Sequence, residues 1–194
     1  VRLSERFDMS RTPIREALVK LAAEGLITTL TNRETIVSQI DFLGLPEFFD
    51  ALTLLYRVTT RLAAARHSED DIVKIRALQQ AFETAVTQRD VLAMISTNRD
   101  FHIAIAVAGG NRYYTELFTR LLDEGRRILR LYYSSFNDLL PRQYVTEHED
   151  MIKVIVERDI EGADRIAREH ADQIVQQIRS YIAADGRESL SLSL

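Results

Sequence analysis

From about Asp41 to Ala184 the apolar residues recur at helical spacing with very little to interrupt them. The 194-residue chain holds only seven Gly and three Pro, and those that occur fall at boundaries. The breaks are Ser68, the Arg89-Asp90 pair, Gly109-Gly110, Asn137-Asp138 with Pro141, and Arg158-Asp159. They divide this region into helical segments over 43–67, 69–88, 90–108, 111–136, 142–158 and 160–184. Six helices joined by short connections imply an antiparallel all-α six-helix bundle. The last residues, 185–194, read as a frayed tail.

The first forty residues follow another rhythm. Leu3-Ser4-Glu5-Arg6-Phe7 reads as the end of a helix and Asp8-Met9 as a short turn. A second helix opens at Ser10, an N-cap candidate, with Pro13 in its first turn and Gly25 closing it. Ile27 to Leu30 and Thr35 to Ser38 are β-branched runs flanking a polar tetrad, Thr31-Asn32-Arg33-Glu34, which predicts a hairpin. Helix, turn, helix and hairpin make a winged helix-turn-helix, in which the second helix enters the DNA major groove N-terminus first. Ile14, Leu18, Leu21 and Ala22 form its expected buried face, so Arg11 and Arg15 point outward. Spacing alone leaves open whether these arginines meet DNA or only water. The domains are thus 1–40, 41–184 and the tail. The abrupt start at Val1 suggests a winged helix-turn-helix truncated at its beginning, with a first helix preceding Leu3.

Charge limits how DNA would be held. The net charge is -4, so any contact with a polyanion depends on local placement. Residues 1–40 carry +1 and the remainder -5, the sign expected for a DNA-binding front end. The absence of cysteine excludes disulfides and thiolate metal sites and fits a reducing cytoplasm. No apolar run approaches the roughly 20 residues of a membrane span, and the N-terminal residues lack a signal-peptide layout.

Three of the four histidines lie on apolar helical stripes. His102 shares a face with Asn98, Ile105 and Ala106, His148 with Met151, Ile152 and Ile155, and His170 with Ile166, Ala167 and Ile174. His67 reads instead as a surface residue near a helix C-terminus. One inward histidine is ordinarily a satisfied core residue, but three on separate helices need a shared partner, and a divalent metal is the usual one. Asn98 stands one turn before His102, so the two can ligate side by side. A metal-dependent enzyme is the rival use of such a centre, through water activated at an open position. There is no HExxH and no Ser or Cys nucleophile motif. Glu147 and Glu169 directly precede histidines, which turns each about 100° away from its neighbour. Arg126, Arg127 and Arg130 with Tyr132 and Tyr133 form either a solvated basic stripe or part of a ligand pocket.

Ser10-Arg11-Thr12-Pro13-Ile14-Arg15-Glu16-Ala17-Leu18, followed by Leu21-Ala22-Ala23-Glu24-Gly25-Leu26-Ile27, is similar to the recognition-helix signature of the GntR family of bacterial transcription regulators. The resemblance implies DNA contacts by Ser10, Arg11, Thr12 and Arg15, with Asn32 and Arg33 at the wing tip, where Glu34 replaces a frequent glycine. Residues 42–184 resemble the FCD-type effector domain of the FadR-like branch, including Arg61-Leu62-Ala63-Ala64, Phe101-His102, Ala108-Gly109-Gly110-Asn111, Glu147-His148 and Glu169-His170. That resemblance implies a divalent transition metal, zinc or nickel, held by His102, His148 and His170, with Asn98 at the position of a customary carboxylate. It further implies a small carboxylate effector, for which Arg127, Arg130 and Tyr133 are candidate contacts. Leu52 and Tyr56 stand where many relatives have polar pocket residues. A homodimeric repressor acting on a double-stranded operator in the bacterial cytoplasm, at the nucleoid, completes the expectation.

Overall fold

The structure, a computed structural model, describes residues 3–23, 27–31, 34–38 and 43–191, with side chains as far as residue 183. Gly25, Asn32, Arg33 and the boundary at Asp41 lie outside the described residues. The chain divides into two compact units, Val1–Asp41 and Phe42–Leu194.

In the first unit, a four-residue helix α1 (Leu3–Arg6) leads through Asp8, at φ 49°, into α2 (Arg11–Ala23). Ile14, Leu18 and Leu21 are half-buried along one side of α2, but Ala22, expected on that face, is exposed. The apolar stripe is therefore narrower than its sequence spacing suggests. The hairpin pairs β1 (Ile27–Thr29) with β2 (Thr35–Val37) in antiparallel register, Thr28 opposite Ile36. The Leu30 N–H donates to the Glu34 carbonyl at 2.8 Å and closes the turn.

The second unit is all helix among its described residues: α3 (Leu45–Arg66), α4 (Glu69–Gln88), α5 (Val91–Ala108), α6 (Arg112–Glu124), α7 (Arg126–Ser134), α8 (Gln143–Val156) and α9 (Ile160–Ser191). Side chains fix the starts. Ser68 and Asp71 form a reciprocal capping box on α4, Asp90 accepts from the Ala93 N–H at 3.0 Å, and Asn111 accepts from the Tyr113 N–H at 3.1 Å. The segment expected over 111–136 is two helices, bent at Gly125. A Cβ there would stand 3.0 Å from the Phe48 ring, so the missing side chain lets α3 press against the bend. At the other end, the α9 backbone continues to Ser191, across most of the stretch read as a frayed tail.

Two apolar clusters fill the bundle. Phe101, Ile105, Met151, Ile152 and Ile155 centre one, and Leu55, Tyr56, Phe118, Ala167 and Ala171 the other. Small residues on α9 let it lie close along α3, where Arg57 grips Asp164 through two hydrogen bonds of 3.1 and 2.9 Å. No helix among the described residues is long and apolar enough to cross a membrane.

Candidate functional site

Two sets of side chains carry chemistry, one in each unit. On α2, Arg11, Thr12 and Arg15 are exposed, and the exposed Ser10 directly precedes the first helical residue. Helix N-termini offer free N–H groups to phosphate, and arginine forks fit guanine O6 and N7. The geometry is that of a helix end open to a polyanion.

In the helical unit, α5, α8 and α9 each bring one histidine to the seam between the apolar clusters. His102, His148 and His170 are exposed by only 1%, 1% and 5%. One ring nitrogen from each lies within 4.8 Å of the other two. Donors held at about 2 Å in a tetrahedral site stand roughly 3.3 Å apart, so the rings would have to close in somewhat to share one ion. Asn98 is buried on α5, one turn before His102.

Hydrogen bonds fix which nitrogen faces inward. Gln79 donates its Nε2 to the Val145 carbonyl at 3.0 Å, which turns its Oε1 toward His148 Nδ1 at 2.9 Å. An amide oxygen only accepts, so Nδ1 carries the proton and Nε2 keeps its lone pair. The Glu147 carboxylate does the same for His170, accepting from Nδ1 at 3.0 Å. The Nε2 atoms of His102 and His170 are buried with no hydrogen-bond partner. An unpartnered buried acceptor costs stability unless a cation meets it, so these residues fit a metal.

Aromatic rings hold the imidazoles in place. Phe101 stacks on His148, with centroids 4.2 Å apart, while Tyr56 presents its edge to His102 at 4.7 Å and to His170 at 5.4 Å. Burial first, then the neighbouring imidazoles, keep His102 well below its ordinary pKa of 6.5; burial and then His170 do so for His148. Both rings are accordingly neutral and able to ligate.

One other expectation needs correction. His67 is buried rather than on the surface, because its Nδ1 turns back 2.9 Å from the Ala63 carbonyl at the end of α3. Arg130, a candidate contact for the effector, is exposed, binds Asp138 through two hydrogen bonds and also meets Ser134. Arg127 is half-buried. Tyr133 is buried, and burial, followed by the charge of Tyr56, raises its pKa. Gln79 and Glu147 were missed as supports for the site. A glutamine between Ile75 and Phe82 on the buried stripe of α4 was a legible signal. Glu147, turned away from His148, is thereby turned toward His170.

Comparison with known proteins agrees with both units. Residues 2–37 match the family described as bacterial regulatory proteins, gntR family, and residues 47–173 match the FCD domain. The chain is 24% identical over 200 residues to the Uxu operon transcriptional regulator of Escherichia coli strain K12, covering 94% of this chain and 78% of that protein. It is 25% identical to the HTH-type transcriptional repressor GlaR of the same strain, with 87% and 79% covered. Among solved structures, E. coli McbR/YncC has a similar fold, with a TM-score of 0.79 at 21% identity, covering 92% of this chain and 84% of that one.

Proposed function

Because the chain belongs to the GntR family and carries an FCD domain, it is a DNA-binding transcription regulator rather than an enzyme, and we propose that a metal-dependent carboxylate ligand controls it. The observation that carries this reading is the trio of buried imidazoles, two of them with a buried ring nitrogen that has no hydrogen-bond partner. His102, His148 and His170 would hold a divalent ion such as zinc or nickel, with Asn98 beside them. Bound there, the ion supplies a Lewis-acidic centre that attracts a carboxylate. The chain's own part is to present three oriented donors, exclude water around them, and place Tyr56 at their edge. Arg127 and Arg130 on α7 are the candidates for the ligand's charge, with Tyr133 from the same helix.

DNA contact is assigned to Ser10, Arg11, Thr12 and Arg15, with Asn32 and Arg33 from the wing. Repression is the proposed direction, in line with the name of the GlaR relative, by a homodimer on a near-palindromic operator in the cytoplasm. Two measurements test the whole. Arg15→Ala is expected to weaken specific DNA binding by about 1–3 kcal/mol and to relax base preference at one position. Metal-free protein is expected to need more carboxylate to leave DNA than the zinc-loaded form, and identical release midpoints would refute metal-dependent control.

A further inference from the structure

The two hydrogen bonds that orient the histidines are unequal. Gln79 holds His148 with a neutral amide, whereas Glu147 holds His170 with a carboxylate. The converging donors are three imidazoles, with no carboxylate among the described residues of the cluster, and the adjacent Asn98 side chain is neutral too. A divalent ion bound by such a set keeps its full charge inside a bundle where charge is poorly solvated. The carboxylate tied directly to one of those imidazoles is Glu147.

We propose that Glu147 is the charge-compensating positioning residue of this centre: acting through the His170 imidazole, it supplies the negative charge that the inner donors lack. This rests on the metal reading above. The hydrogen bond does two separable things. Accepting from Nδ1 fixes the tautomer, a task that a neutral amide oxygen also performs, as Gln79 shows at His148. Carrying a negative charge makes Nε2 a stronger donor and lowers the energy of a cation beyond it, which an amide cannot do. Glu147→Gln therefore removes the charge while retaining an acceptor, and Glu147→Ala removes both.

The experiment is a competition titration of metal-free protein with zinc against a chromophoric chelator, with helicity checked by circular dichroism. Relative to the unaltered chain, Glu147→Gln is expected to weaken zinc binding about 10-fold, and Glu147→Ala toward 100-fold. Asn98→Asp is expected to tighten zinc binding. In that background Glu147→Gln costs less, because an inner carboxylate has already halved the site's net charge. Repeating the comparison in the Asn98→Asp background also keeps the test decisive if one single variant folds poorly. Equal zinc affinity in the unaltered and Glu147→Gln proteins overturns this proposal alone. No zinc on the unaltered protein overturns the metal reading and this proposal with it.

Discussion

A histidine held neutral in the folded protein but free to protonate in the unfolded chain makes stability depend on pH. His102 and His148 are such residues, since burial depresses both below 6.5. Below that value the unfolded chain binds protons that the folded one does not, so lowering the pH favours unfolding. The contribution is fully present above about pH 6.5 and is lost as pH falls beneath it. Each imidazole adds a slope of up to about 1.4 kcal/mol per pH unit. Urea unfolding of metal-free protein at several pH values between about 7.5 and 5 is expected to show this decline, and His102→Gln is expected to flatten it. A stability that stayed constant across that interval would contradict a neutral buried pair.

Between helices, close approach sets the limits. Gly109 ends α5 against α3, and a Cβ added there would lie 2.9 Å from the Leu62 Cβ and 3.3 Å from the Thr59 carbonyl. Alanine gains up to about 1 kcal/mol of helix propensity over glycine, but a Cβ is fixed to its backbone and cannot swing aside. Overpacking, typically about 1–3 kcal/mol, should win, so Gly109→Ala is expected to lower the melting temperature. An increase would mean that α3 and α5 separate at little cost. The same kind of contact explains what was legible in the sequence. Ser68, Asp90 and Asn111 act on their own first turns, so those helix starts could be read locally. The bend at Gly125 was hidden because apolar periodicity runs through it, and the ring that uses the gap, Phe48, is remote in sequence. The three histidines stood out through helical spacing. Glu147 did not, because its partner is on another helix.

Across the whole helical unit, the packed pair α3 and α6 carries Leu54, Tyr113 and Leu117, each more than half exposed. The homodimer proposed above would need a surface to pair through, and these exposed apolar side chains are candidates for it. Light scattering is expected to give a dimer for the unaltered chain and a monomer for Leu117→Glu; a dimer in both would move the interface elsewhere. The burial of the histidines has a further consequence, one of time. With those rings almost wholly shut from solvent, an ion held among α5, α8 and α9 would exchange with an external chelator only slowly. Its departure would then be limited by local opening of the bundle, with a half-life that depends only weakly on chelator concentration. A metal-loaded centre of this kind would follow metal supply over the time of bundle opening rather than from moment to moment.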